Sequence, residues 1–257
     1  MTVTGSIGGD RAPVNVIKHA HGDPNQKKKP LASARTATRS PTSILYLPQR
    51  AHTLASAGTG DGIIKLWDLR THGSYTSKPH FPAQAAEQSH DPTHATPRGR
   101  PYGVASMCLS QAGDVIYALS TDGKIHQHAS AALDTRSIHP GQVYTHPNLK
   151  TSFYSRLSLD PTGRYLVSGS VRGAVHLFEV GGSWTADKTE AQRRGIVLKA
   201  DEGGREIGCV DWGAEGFASV SDDLHVRVWK SNEVASTWLR QDRKAAEWSW
   251  GGRAEWA

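Results

Sequence analysis

Hydrophobic and polar positions alternate in four separate stretches of the 257-residue chain, and the stretches can be laid over one another. They are ILYLPQRAHTLASAGTGDGIIKLWDLR from Ile44, SMCLSQAGDVIYALSTDGKIHQHA from Ser106, RLSLDPTGRYLVSGSVRGAVHLFEV from Arg156 and CVDWGAEGFASVSDDLHVRVWKS from Cys209. Each reads strand, turn, strand, turn, strand. In the first, Leu54-Ala55-Ser56-Ala57 leads through a glycine-bearing turn, Gly58 to Gly62, into Ile63-Ile64-Lys65-Leu66-Trp67, the period-two pattern of a half-buried strand. Repetition at this scale predicts an all-β architecture of successive small sheets.

The closing residue of the third strand falls at Trp67, His128, Phe178 and Trp229, in steps of 61, 50 and 51 residues. Six residues before it stands Asp61, Asp122, Arg172 or Asp223. Three of four units thus place an acid in the turn between the last two core strands, where Asp can accept hydrogen bonds from turn amides. Residues 71–100, 129–150 and 180–204 are rich in polar residues, His, Pro and Gly and read as loops between units. The organisation expected is a partial edge and basic insert over 1–40, repeat units at about 41–70, 101–130, 151–180 and 205–231, and a tryptophan-bearing tail over 232–257.

These spacings resemble the WD40 family, whose β-propeller blades end in a Trp-Asp pair after an aspartate-containing turn; Trp67-Asp68 matches literally. Absence of a Gly-His pair at the start of each unit predicts that the Ser/Asp/His network of such blades is incomplete here. A ring in that family usually has seven blades, so four imply an N-terminally truncated propeller.

The order of features from about residue 12 to 231 is similar to the C-terminal part of the denticleless family, the propeller substrate receptors of cullin-4 RING ubiquitin ligases. The resemblance rests on Val14-Asn15-Val16-Ile17 and Ala20-His21 before a lysine-rich insert, then on Asp61-Gly62-Ile63-Ile64-Lys65-Leu66-Trp67-Asp68-Leu69-Arg70. It continues in Thr151-Ser152-Phe153-Tyr154, Tyr165-Leu166-Val167-Ser168-Gly169-Ser170 and Val220-Ser221-Asp222-Asp223. It implies a non-catalytic adaptor, in the nucleus with the cytoplasm as a second location, that brings PCNA-associated replication or cell-cycle proteins to ubiquitination and proteasomal degradation. Trp67, Asp68 and Arg70 would then form the contact with the ligase adaptor, damaged-DNA-binding protein 1, Trp67 packing between blades and Arg70 standing on a rim. Asp122, Asp222 and Asp223 are candidates for an acidic substrate face, although turn geometry alone accounts for such acids.

Composition narrows the alternatives. The formal charge of +6 gathers in local tracts such as Lys27-Lys28-Lys29, without interleaved aromatics, so at most a weak nucleic-acid contact is expected there. A general WD40 scaffold in a chromatin or RNA-processing complex is the second reading. No apolar run approaches the roughly 18 residues of a membrane helix, and the N-terminus lacks the apolar centre of a signal peptide, so no membrane partner is expected. Cys108 and Cys209 read as small buried hydrophobes. Asp122-Gly123-Lys124-Ile125 lacks the glycine and hydroxyl of a phosphate loop, and Gly169-Ser170-Val171-Arg172-Gly173 has its serine off-centre for a nucleophile elbow. His126 and His128 share a strand face without an acidic or Cys cluster at ligand spacing, so no metal or cofactor is expected.

Overall fold

A computed structural model of the chain describes residues 17, 20–21, 39–70, 85–93, 101–133, 143–180, 195–200, 203–214 and 216–230, with the backbone of 254–256. The basic stretch Lys27-Lys28-Lys29, the Asp201-Glu202 pair and the tail up to residue 253 lie outside them. Among the described residues every element is a strand, every strand pair is antiparallel, and no helix is long and apolar enough to cross a membrane.

Four sheets follow one another along the chain as WD40-type blades. Blade 1 holds β1 (Pro41–Tyr46), β2 (Thr53–Gly58), β3 (Lys65–Asp68) and β4 (Glu87–Gln88). Blade 2 holds β5 (Val104–Leu109), β6 (Val115–Ser120), β7 (Lys124–Ala129) and β8 (Val143–Thr145). Blade 3 holds β9 (Leu157–Leu159), β10 (Tyr165–Ser168), β11 (Ala174–Glu179) and β12 (Ile196–Lys199). Blade 4 holds β13 (Ile207–Trp212), β14 (Phe217–Ser221) and β15 (Val226–Trp229). A further strand, β16 (Ala254–Trp256), pairs with β12 at the edge of blade 3. Short fourth strands β4, β8 and β12 therefore occupy stretches that composition alone reads as loops.

The register repeats from blade to blade. Trp67 pairs with Leu54, His128 with Ile116, Phe178 with Leu166 and Trp229 with Phe217. On the first strands, Ile44 pairs with Ser56, Met107 with Ala118, Leu157 with Ser168 and Val210 with Ser219. Because alternate residues leave opposite faces of a strand, equal register means that these residues share one face, which in blades 2, 3 and 4 meets the preceding blade and in blade 1 is turned away from blade 2.

The core lies between blades. One cluster joins Ala55, Ala57, Ile64 and Leu66 of blade 1 to Met107 and Ile116 of blade 2. A second joins Tyr117, Leu119 and Ile125 to Leu157, Leu166 and Phe178, and a third joins Val167, Val175 and Leu177 to Val210, Phe217 and Trp229. Each fully buried aliphatic or aromatic side chain contributes about 1.5–3 kcal/mol through removal from water. Hydrogen bonds repeat across these seams: the Met107 amide donates to Ser43 Oγ at 3.0 Å and the Leu157 amide donates to Ser106 Oγ at 3.2 Å.

The cysteines divide. Cys108 is half-buried against the cluster between blades 2 and 3, and burial pushes its thiol pKa up. Cys209 is exposed, contrary to the reading of both as buried, because it lies on the side of blade 4 that no described blade covers.

Candidate functional site

The strand β3 carries the Trp67-Asp68-Leu69-Arg70 run to the rim of blade 1. Thr53 pairs with Asp68 where the strand ends, and the Leu69 amide donates to the carbonyl of His52 at 2.8 Å. His52 has a φ of 72°, a left-handed conformation uncommon for a residue with a Cβ, which turns its carbonyl toward the end of β3. The Asp68 carboxylate then caps the chain. Its Oδ1 accepts from the Arg70 amide at 2.9 Å and from Arg70 Nε at 3.1 Å, while Oδ2 accepts from an Arg70 terminal nitrogen at 2.8 Å. The hydrogen bond from the Arg70 side chain, ahead of that from its amide, holds the Asp68 pKa down at about 2. Arg70 is thus braced in one orientation while its side chain stays 66% exposed.

Beside it lies a groove of about 600 Å³ bordered by Arg50, His52, Asp68, Arg70 and Glu87. Arg50 is tied into the floor through Glu87 at 2.7 Å and the Ala131 carbonyl at 2.5 Å. Both arginines are paired with a carboxylate, but Arg70 stays largely exposed beside Asp68, whereas Arg50 is half-buried beside Glu87.

Trp67 is buried, but on the face of blade 1 turned away from blade 2, since Leu66 beside it joins the cluster between those blades. It does not pack between two described blades. Its indole Nε1 donates to Ser56 Oγ at 2.8 Å, and His21 Nε2 lies 2.9 Å from the same oxygen. Ala20-His21 thus supplies a histidine to blade 1 from the far side of the basic insert, but its buried Nδ1 meets no hydrogen-bond partner among the described residues and Asp61 serves the Ile63 amide, so the Ser/Asp/His network stays incomplete as expected. Lys65 Nζ donates to the Ala20 carbonyl at 2.9 Å and holds that segment in place. Burial, then the charge of Lys65, lowers the His21 pKa to about 4.

The turn acids occupy matching places on the opposite rim. Asp61 Oδ1 accepts from the Ile63 amide at 3.2 Å, Asp122 Oδ1 from the Lys124 amide at 3.2 Å, and Asp223 Oδ1 from the His225 amide at 2.9 Å. Each also meets a cation, Arg39 at 3.7 Å, Lys124 at 3.3 Å and Arg227 at 2.5 Å respectively. The structure does not bring these acids to Arg70. Among the described residues no group of three His, Cys, Asp or Glu side chains could hold a metal ion.

No family profile matches the chain. It is similar to the cell division cycle protein cdt2 of Schizosaccharomyces pombe, 32% identical over 213 residues that cover 82% of this chain and 40% of that protein. It is also similar to the denticleless protein homolog of Homo sapiens, at 32% identity over 80% of this chain and 26% of that protein. Protein lethal(2)denticleless of Drosophila melanogaster is 27% identical over 88% of this chain and 26% of its own length. The chain therefore spans well under half the length of these curated relatives.

Proposed function

Taking as premise that the chain resembles the denticleless proteins over about four fifths of its length, we propose that it acts as a substrate receptor of a cullin-4 RING ubiquitin ligase in the nucleus. One surface grips the ligase adaptor, damaged-DNA-binding protein 1, and another presents PCNA-associated replication or cell-cycle proteins for ubiquitination and degradation. The receptor supplies no bond-making group; it raises the effective concentration of substrate lysines near the charged conjugating enzyme.

The observation that carries this reading is the braced, outward Arg70. A planar guanidinium offers forked hydrogen bonds to carboxylates and carbonyls, and Arg buried at the centre of an interface is a frequent hot spot. The Asp68 contacts hold the long side chain before any partner arrives, so less rotamer entropy is lost on docking. Trp67 anchors the strand that presents it, and Asp61, Asp122 and Asp223 shape the turns between core strands.

The test is recovery of the adaptor from nuclear extract of the protein's own source by the tagged chain, wild type beside Arg70→Ala at matched solubility. Recovery by the wild type and loss in the variant support the receptor role. Equal recovery by both removes Arg70 from the interface, and no recovery by folded wild type removes the ligase reading. Salt-sensitive binding of RNA or DNA, lost on neutralising Lys27, Lys28 and Lys29, would instead favour a scaffold in a nucleic-acid complex.

A further inference from the structure

The connection from blade 2 to blade 3, Thr151 to Arg156, is bonded to three blades at once, yet it holds its two largest apolar side chains out in water. The Thr151 hydroxyl donates to the Ser120 carbonyl of blade 2 at 2.8 Å, and Arg156 Nη1 donates to the Ala105 carbonyl of the same blade at 3.0 Å. The Arg156 carbonyl accepts from the Gly169 amide of blade 3 at 3.2 Å, and the Arg156 amide donates to the Gly208 carbonyl of blade 4 at 2.9 Å. Inside the loop the Ser152 amide donates to Ser155 Oγ at 3.1 Å, the Tyr154 amide donates to Ser152 Oγ at 2.9 Å, and Arg156 Nη1 reaches the Phe153 carbonyl at 3.1 Å. Phe153 and Tyr154 stand at the apex, 38% and 74% exposed. The loop lies over the internal seams, away from the outer faces of blades 1 and 4. Backbone fixed in this way loses little further entropy on binding, and each ring has only two side-chain torsions to order.

One carboxylate stands beside the apex. Glu206, at the entry to blade 4, is half-buried, and its Oε1 accepts from the hydroxyls of both Ser152 and Ser155, the second at 3.4 Å. Its Oε2 takes no hydrogen bond among the described residues. The cation within the loop, Arg156, is engaged by the Ala105 and Phe153 carbonyls, so it leaves the Glu206 charge in place. Serine hydroxyls orient that charge without neutralising it.

We propose that this apex is a docking site for a cationic side chain, lysine or arginine, of a protein partner. The charged head meets Glu206 Oε2, and the stem lies against the Tyr154 and Phe153 rings. A carboxylate and an aromatic face both favour a cation, and together they reward one with an apolar stem over a free ion. The Asp222 amide donates to the Glu206 carbonyl at 2.9 Å, which puts the site on the rim of the turn acids and leaves the Arg70 rim free. The inference goes beyond the receptor reading and does not depend on it.

The test is the anisotropy of a short fluorescent peptide of alternating arginine and leucine titrated with the full chain, beside peptides of equal length with glutamine or glutamate in place of arginine. The formal charge of +6 on the chain repels the basic peptide as a whole, so binding that depends on one acid reports a local site. The basic peptide is expected to bind and the other two not. Tyr154→Ala and Glu206→Gln are each expected to weaken binding about three- to tenfold, with a smaller difference at high salt for Glu206→Gln. Tyr154 is exposed and glutamine keeps an oxygen for the two serines, so an unchanged midpoint of thermal unfolding separates lost binding from lost folding. No binding by the folded wild type, equal affinity in both variants, or equally tight binding of the glutamate peptide overturns the proposal. So does a single-stranded RNA that binds through Tyr154 but is indifferent to Glu206→Gln, which would make the apex a base-stacking platform flanked by the exposed Lys150 and Arg205. Recovery of the adaptor through Arg70 is expected to be unchanged in Tyr154→Ala, which keeps the two sites distinguishable.

Discussion

The two outer blades keep a hydrogen bond that the two inner blades have given up. In blade 1 Trp67 donates to Ser56, and in blade 4 Trp229 donates to Ser219 at 2.9 Å. Blade 2 has His128 and Ala118 at those positions, and in blade 3 Phe178 has nothing to donate, so Ser168 turns its hydroxyl to the Gly169 carbonyl. The inner blades are covered on both faces by neighbours, and their closing residues sit in apolar seams where shape alone holds them. Each outer blade lacks a described neighbour on one side. A buried indole with its N–H satisfied ties the second and third strands to each other, in blade 1 on the face that no described blade covers and in blade 4 inside the seam with blade 3. Interblade packing joins the blades, and the Trp–Ser bond ties two strands within blade 1 and within blade 4.

The comparison is broken most severely at Trp67. Trp67→Ala removes a buried indole and the donor it brings to Ser56 Oγ, leaving only His21 on that oxygen, and is expected to cost about 3–5 kcal/mol in urea unfolding. Ser56→Ala keeps the indole but strands its N–H, with an expected loss of about 1–3 kcal/mol. The same loss is not expected from Ser168→Ala, where no indole depends on the hydroxyl. Equal costs at Ser56 and Ser168 would dissolve the distinction between outer and inner blades.

The inner blades have their own weak point in acid. Burial, with the neighbouring His126 second, lowers the His128 pKa to about 3, and burial followed by His146 does the same for His176. Both are neutral in the fold and take up a proton in the unfolded chain below its ordinary pKa of about 6.5. Their contribution is fully present above that pH and is lost as pH falls from there toward the folded value, by up to about 1.4 kcal/mol per pH unit for each histidine. His128→Phe should flatten the decline in unfolding free energy between pH 7 and pH 5 relative to wild type. An unchanged slope would mean that His128 is already protonated in the fold.

The smallest expected effect is a gain. Blade 2 turns from β6 to β7 through Gly123 at a φ of 79°, whereas blade 4 makes the same turn with Leu224 at 68° and 94% exposed. A left-handed conformation costs a residue with a Cβ about 1–2 kcal/mol, and Leu224 recovers nothing by burial. Leu224→Gly should therefore raise stability by about 1 kcal/mol, with the midpoint of thermal unfolding as the readout.

Much of this was legible in the alternation. Leu66 and Trp67, or Phe178 and Leu177, announce opposite faces by neighbouring in sequence, and the Asp61, Asp122 and Asp223 spacing marks equivalent turns. What alternation cannot carry is whether anything lies opposite a face. Val226 and Val228 follow the same pattern as Ile125 or Leu177 yet stand in water, and Cys209 is exposed for the same reason. The His21 contact escaped because the insert after Ala20-His21 separates the histidine from Ser56 by 35 residues. The strands β4, β8 and β12 escaped because two to four residues in polar surroundings make no periodic signal. At the rim, the Trp67-Asp68-Leu69-Arg70 run named the candidate residues, but the bracing of Arg70 by Asp68 and the turned carbonyl of His52 needed coordinates.

The most direct test of the receptor account is a titration of purified damaged-DNA-binding protein 1 with the purified chain, comparing wild type, Arg70→Lys and Arg70→Ala by calorimetry at physiological salt. The account predicts tight binding by wild type, a loss of at least about 2 kcal/mol for Arg70→Ala, and a loss for Arg70→Lys as well, since an ammonium cannot replace the fork. Unfolding stability should move by less than about 0.5 kcal/mol, because the side chain is exposed. Identical affinities for wild type and Arg70→Ala, with both proteins folded, would contradict it.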